Sequence, residues 1–471
     1  MKETFEFTDK IKKNLFYMMG IGLLGMILVF FAYPHNQHGR FWSNILACTY
    51  YFTGIGLFGM FAVSAGQIAY GSWQTLEKRI FLSLSAFARI GGFMLALILI
   101  LGVLGVHNLY EHVNHIIHSP VNPETTTKII YFAPAFWIGR VLVYASLWAG
   151  ASIVLNNFFA RTDQTDPKVY KRSKLLCAAF IVIFAVSESA ISWDMLMSLD
   201  TGWYSTLFGW YNFASYGCAA WAMTILLVLF LKSQGYLERV NENHIHDLGK
   251  LLFGFSIFWS YLWFDQFMLQ WFANIPEETS FWVERFGTGY FKFTIFLALA
   301  INFAFPLLVL IKRGAKRNFK LIGFGAALLI LGHYVDFFNY TFVESGWEKS
   351  VVAAKKKEAL EATENAPLFA KLEKGEKMEA KMEGKTAEKS EMKAEGKSEK
   401  AEGAKGEKAE AEEAEVPESN LSGIGIGELM IFTGFLGVFL FMFFNNLAKR
   451  PIIPENDPYL KENERLEVVY S

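Results

Sequence analysis

Three carboxylates crowd the stretch 187–211 (SESAISWDMLMSLDTGWYSTLFGWY): Glu188 and Asp194 inside one apolar run, and Asp200 at the turn that follows. A charged side chain at membrane depth costs about 2.5–3.5 kcal/mol on insertion scales, so such groups face a bundle interior or a water path. They either relay protons or lock helices together as ion pairs. Arg140 offers a partner for the second role. Arg140 and Glu188 each lie about 11 residues from the outer ends of their runs, roughly 16 Å deep at 1.5 Å per residue. The sequence therefore predicts an Arg140–Glu188 pair. Asp194, six residues beyond Glu188, lies about 120° around the helix and shares a face with Ser187 instead. Gln67 and Arg89 are the other polar groups of this half of the chain.

A second polar set comprises Asn212, Asp265, Gln266, Asn302, His333 and Asp336. Asp265 and His333 are each about nine residues from the outer ends of their runs, which matches them in depth. His333 and Asp336 are spaced i,i+3 and share a helix face. A histidine beside a carboxylate titrates near neutral pH and relays protons; the same pair also serves as a hydrogen-bonded staple. Glu188, Asp194, Asp265, His333 and Asp336 are thus the proton-path candidates.

Cofactor ligands are scarce. His333 is the only histidine at membrane depth, so bis-histidine haem ligation lacks its second ligand. His107, His112, His115 and His118 cluster in an external loop and read as solvated side chains or a metal or docking surface. Cys48, Cys177 and Cys218 lie in separate apolar runs and form no CxxC pair, which argues against an iron–sulfur cluster or structural zinc held by this chain alone. The aromatic segments SWDMLMSLDTGWY and 258–272 (FWSYLWFDQFMLQWF) suit either a quinone cleft or ordinary packing and interface belts.

These residues must be positioned by membrane helices. The chain of 471 residues is 53% hydrophobic and 17% aromatic, with net charge −1, a membrane composition with no basic field for nucleic acid. Ten spans are expected at roughly 14–33, 42–70, 80–108, 129–158, 175–199, 204–231, 249–274, 290–311, 320–342 and 424–447, each long enough for a hydrocarbon core of about 30 Å. Pro134 and Pro306 read as tolerated kinks. One side carries 23 Lys and Arg and the other Arg40, Lys128 and Arg285, which predicts both termini in the cytoplasm. No cleavable leader pattern precedes the first run.

The expected organisation is an N-terminal segment with flanking helix (1–41), a first four-helix bundle (42–199), a second (200–344), an external Lys/Glu/Ala-rich loop (345–420), a last flanking helix (421–447) and a cytoplasmic tail (448–471). The loop has few large apolar residues and cannot build a core. Two sets of four spans begin on the same side, so any repeat between them is parallel.

The stretch SESAISWDMLMSLDTGWYSTLFGWYNFAS, together with FWSYLWFDQFMLQWFANIPEET at 258–279, resembles the polysulphide-reductase-type (NrfD-like) membrane subunits, and most closely the F-type subunit of bacterial alternative complex III. The resemblance covers about 10–345 and 420–450. It implies an inner-membrane subunit of a quinol:electron-acceptor (cytochrome c) oxidoreductase. The implied partners are a paralogous NrfD-like C-type subunit, an iron–sulfur/molybdopterin-like subunit and c-type cytochromes, with haem c and iron–sulfur clusters in those partners. Quinol oxidation, of menaquinone type, would belong to the C-type partner, and this chain would support assembly and a proton path without a redox centre of its own. The family's intramembrane acidic motif falls on Asp194 and Asp200. The alternatives are a quinone-binding redox subunit and a stand-alone secondary transporter. A transporter is expected to have broken helices at corresponding places in its two halves, and Pro134 and Pro306 do not correspond.

Overall fold

The structure, a computed structural model, describes residues 4–33, 35–117, 123–162, 164–200, 203–287, 289–343 and 424–465. The expected Lys/Glu/Ala-rich loop at 345–420 lies outside them. The described residues form helices and no strand beyond a single bridge between Thr4 and Pro451. The chain is an all-α, multi-pass membrane protein.

Its helices are α1 (Asp9–Ala32), α2 (His35–Ile68), α3 (Lys78–Leu84), α4 (Ala88–Val103), α5 (Glu111–Ile117), α6 (Pro123–Tyr131), α7 (Pro134–Arg161) and α8 (Pro167–Met195). After them come α9 (Leu207–Ser233), α10 (Glu242–Ala273), α11 (Pro276–Gly287), α12 (Gly289–Leu299), α13 (Arg313–Arg317), α14 (Phe319–Val343), α15 (Ile426–Leu447) and α16 (Leu460–Glu464). Helices α3 and α4 are one interrupted span.

Local chemistry sets several ends. Asp166 accepts a hydrogen bond from the Lys168 amide at 2.9 Å, and Pro167 fills the first helical position of α8; both satisfy or remove orphan donors. Asn241 and His244 form a reciprocal cap at the start of α10, so this helix begins about two turns before the expected 249. Pro134 does not kink a span. It opens α7 after a break at Phe132–Ala133, where its missing N–H costs nothing. Pro306 does lie inside a span, as the first residue of the second of two π-helical segments, Ala300–Ala304 and Pro306–Leu310, where proline removes a backbone donor from the helical ladder.

Among the described residues, nine helices are long and apolar enough to cross a membrane. Helix α10, the seventh expected span, is not among them. Its 32 residues suffice in length, but Trp, Tyr and Ser side chains with Asp265, Gln266 and Gln270 lower its hydropathy. Thr4 bridges Pro451, so both ends of the described chain lie on one face. Among the described residues, counting α10 with the nine gives the even number of crossings that this requires.

Helices α2, α3–α4, α7 and α8 pack on one another, as do α9, α10, α12 and α14; α2 and α8 meet α9, and α2 meets α14, at the seam. Helices α1 and α15 pair along their length. They cross at Gly22 and Gly434, where a Cβ on Gly22 would stand 2.3 Å from the Gly434 Cα. Only glycine permits so close an approach. The pair is tied to α2 by a fully buried Arg40–Glu428 ion pair, with the Arg40 guanidinium over the Tyr33 ring at 4.1 Å.

Candidate functional site

Helix α8 divides its polar residues between two faces. Ser187 and Asp194 both meet α7: the Trp148 indole donates to Ser187 Oγ at 2.8 Å, and Arg140 grips Asp194 through Nε–Oδ2 at 2.9 Å and Nη2–Oδ1 at 2.6 Å. Arg140 also donates to the Tyr131 carbonyl at 3.3 Å and lies over the Tyr131 ring at 4.0 Å. The two-pronged fork is the strong geometry for an arginine and a carboxylate. This corrects the expected Arg140–Glu188 pair. Distance from the helix ends does not select the partner, since Glu188 lies seven residues from the end of α8 and Asp194 only one; the helix face does, because Asp194 shares with Ser187 the face that meets α7.

Glu188 turns the other way, toward the seam. Ser192 Oγ donates to the Glu188 carbonyl at 2.9 Å and lies 3.3 Å from Oε1. Tyr50 Oη shares a 2.7 Å hydrogen bond with Ser192 Oγ. The Tyr216 hydroxyl of α9 stands beside the Glu188 carboxylate without making a hydrogen bond of normal geometry. Tyr216 reaches this position because α2 carries Gly54, where a Cβ would stand 2.5 Å from the Tyr216 ring. Glu188, Tyr50, Trp148 and Tyr216 line a cavity of about 10 Å³, about the room one water needs.

One residue earlier on α9, Ser215 serves a second cluster. Its hydroxyl lies 2.9 Å from His333 Nδ1 and 3.3 Å from Asp336 Oδ2. Tyr211 donates to Asp336 Oδ1 at 2.5 Å and the Trp259 indole to Oδ2 at 3.2 Å. The Trp259 ring meets His333 edge-on at 5.3 Å. The two clusters share α9 as a common wall. Consecutive residues of α9, Ser215 and Tyr216, face one carboxylate each, and the Tyr50 ring also touches Phe337, the neighbour of Asp336, at 5.5 Å.

The second cluster carries buried polar atoms with no protein partner: both side-chain polar atoms of Asn212, Gln266 and Asn302, and His333 Nε2. Left without a partner, each would cost about 1–3 kcal/mol, and buried groups of this kind are commonly met by ordered water. Asp265 does not belong to it. Trp259, Leu262, Gln266 and Gln270 form the buried face of α10, whereas Asp265 is half-buried at the edge of an outward face with Tyr261, Phe264, Met268 and Trp271. It makes no hydrogen bond or ion pair with the described residues.

Along α2 the polar layer is followed by Phe58 and Phe61 before Ser64 and Gln67; along α8, Phe184 intervenes between Glu188 and Ser173. These three rings and Phe213 touch in a cluster, with centroids 5.1 Å apart for Phe61–Phe213 and 5.6 Å for Phe61–Phe184. Apolar rings thus separate Glu188 from the face carrying the termini. Beyond them lies a further polar network that the sequence reading reduced to Gln67 and Arg89. Gln67 donates to Ser173 Oγ at 2.8 Å and accepts from Lys78 at 3.1 Å, and Lys78 pairs with Asp457 of the C-terminal segment. Glu77, at this face and outside the spans, is buried with neither carboxylate oxygen hydrogen-bonded, and burial pushes its pKa up to about 8. Arg89 donates to Ser152 Oγ at 2.9 Å and to Asn446 at 3.2 Å. The motif KR at 78–79 signals only a charged loop; nothing in it reveals that the tail folds back onto it.

Toward the opposite face, past Asp194, lies a cavity of about 250 Å³ lined by Lys128, Tyr131, Phe132, Trp193, Ser198, Asp200, Trp203 and Tyr204 among others. The indole N–H groups of Trp193 and Trp203 are buried without a partner. Among the described residues no group of three or more His, Cys, Asp or Glu is placed to hold a metal. His107 is taken up by the Ile98 carbonyl at 2.9 Å and by packing on Trp42; the side chains of His112, His115 and His118 lie outside the described residues. All three cysteines are buried and free.

Comparison of the chain with protein-family models and with curated proteins gives no match.

Proposed function

We propose that the chain is an integral membrane subunit of a bacterial respiratory quinol:electron-acceptor oxidoreductase of the NrfD-like type, resembling the F-type subunit of alternative complex III, which supports assembly and carries a proton half-channel. The observation that carries the reading is the polar layer joined through α9, Glu188–Tyr216 on one side and Ser215–His333–Asp336 on the other. A carboxylate flanked by hydroxyls and a water-sized cavity can take and pass a proton, and so can a carboxylate beside an imidazole. The phenylalanine cluster stands between Glu188 and the face of the termini, the cytoplasmic face by the charge bias. A path that opens one way only is a half-channel, and it needs a neighbouring subunit to complete a crossing. Asp194, held by Arg140, fixes α7 to α8 at the mouth of that path.

Helix α10 supports the assembly role. An ionisable group at membrane depth turned outward among aromatic side chains is costly in lipid, and Asp265 becomes tolerable when another subunit's helix supplies a donor.

A second reading, a quinone site within this chain, is favoured by the 250 Å³ aromatic cavity with its two unpartnered indole N–H groups. An apolar cleft with few polar groups is the usual form of such sites, and the indoles are placed to donate to a quinone carbonyl. Affinity purification of the tagged chain tests the main reading: c-type haem and iron–sulfur subunits should co-purify. Recovery of the chain alone from mild detergent would remove its basis.

A further inference from the structure

The two larger openings on the side of the termini share residues. An apolar cavity of about 480 Å³ is walled by α1, α9, α14 and α15, with Leu227, Ile330, Phe432 and Leu436 in its lining. A polar cavity of about 220 Å³ at the surface is lined by Glu6, Thr8, Lys10, Gln234 and others. Ile11, Asn14 and Phe230 line both, so the two form one groove with a polar mouth and an apolar shaft. On α15 the shaft runs from Phe444 to Phe432, about 18 Å at 1.5 Å per residue. That is close to one leaflet, half of a hydrocarbon core of about 30 Å. The shaft opens sideways at Ala327 and Leu331, whose side chains are exposed.

The mouth offers one charge of each sign. Lys10 has no ion pair or hydrogen bond among the described residues, while its neighbour Lys12 is engaged by Asp9 at 3.0 Å. The Glu6 carboxylate is likewise unpaired among the described residues; its backbone N–H donates to Tyr236 Oη at 3.0 Å and its carbonyl accepts from the Thr8 N–H at 2.9 Å. An unpaired cation and an unpaired anion at one mouth complement a zwitterion. A groove one leaflet deep complements an acyl chain. We propose that this groove binds a phospholipid whose headgroup carries a phosphate, met by Lys10, and a primary ammonium, met by Glu6: a lipid of the phosphatidylethanolamine class. Its acyl chain fills the space between the α1–α15 pair and the second set of four helices. It would lie beside the ring contacts that already join them, Phe230–Phe444 at 5.5 Å and Tyr334–Phe432 at 4.4 Å.

The test uses the full chain, in its complex if it purifies as one, stripped with detergent. It is then titrated with dioleoyl phosphatidylethanolamine, phosphatidylglycerol or phosphatidylcholine, with bound lipid read by native mass spectrometry and by the thermal midpoint. Phosphatidylethanolamine should bind at least about five-fold more tightly than the other two, the size expected for one surface charge contact. Glu6→Gln should abolish the preference over phosphatidylglycerol, and Lys10→Gln should weaken all three lipids. Ala327→Trp, or Leu331→Trp if the first variant misfolds, should lose the bound lipid by obstructing the shaft. Equal binding of the three lipids, lipid retained by the tryptophan variant, or an isoprenoid quinone in place of phospholipid would overturn the proposal.

Discussion

Tyr216 and Ser215 are consecutive on α9, yet they serve different carboxylates: Tyr216 stands beside Glu188 of α8, and Ser215 lies 3.3 Å from Asp336 Oδ2 of α14. Adjacent helical residues point about 100° apart, so one helix can wall two sites at the same depth. This makes α9 the hinge of the account. Ser215→Ala should remove the hydroxyl between His333 and Asp336 while leaving the fold intact, because the Tyr211 and Trp259 contacts to Asp336 remain. A variant that assembles normally and transfers protons normally would show that this hydroxyl takes no part in the relay.

The Arg140–Asp194 fork should behave as a buried ion pair. Asp194→Ala leaves an uncompensated guanidinium, a loss of about 3–5 kcal/mol, visible as reduced yield and a lowered thermal midpoint in detergent. Arg140→Met combined with Asp194→Leu should recover most of it. Glu188→Gln should leave the α7–α8 contact unaffected. Equal losses in the single and double variants would argue against the pairing.

Glu77 gives a pH signature on the face of the termini. Burial raises its pKa to about 8 from the ordinary 4.5, so between those values the folded state binds the proton that the unfolded state has released. Stability contributed by protonated Glu77 is complete below about pH 4.5 and is lost as pH rises through about 8. Glu77→Gln should therefore raise the thermal midpoint more at pH 8.5 than at pH 5. An equal shift at both would mean that Glu77 is ionised throughout.

Ten crossings can be checked with a membrane-impermeant maleimide, since the three native cysteines are buried. Ile275→Cys, just after α10, and Asn456→Cys, in the C-terminal segment, should label from opposite sides. Labelling of both from one side would remove α10 as a crossing.

Much of the architecture was legible because hydrophobic runs of span length have one main use. The partition of α8 was legible too: its periodicity separates Ser187 and Asp194 from Glu188. The partner of Arg140 was not, because depth in the membrane does not say which face of α8 meets α7, and that face carries Asp194 rather than Glu188. Asp265 was matched to His333 by depth alone, which fixes a level in the membrane but not a helix face. The fold-back of Asp457 onto Lys78, across more than 370 residues, leaves no periodic trace in the sequence.

In the proposed function Glu188 and Asp336 carry protons rather than merely satisfying neighbours. A staple needs only a hydrogen-bonding group, whereas a relay needs a titratable one. The decisive measurement is the proton-to-electron ratio during quinol oxidation by the purified complex in proteoliposomes, with Glu188→Gln and Asp336→Asn in this chain. A proton relay through these carboxylates gives assembled complexes with quinol oxidation largely retained and a lowered ratio. Assembled variants with an unchanged ratio would contradict it and leave both carboxylates as structural groups.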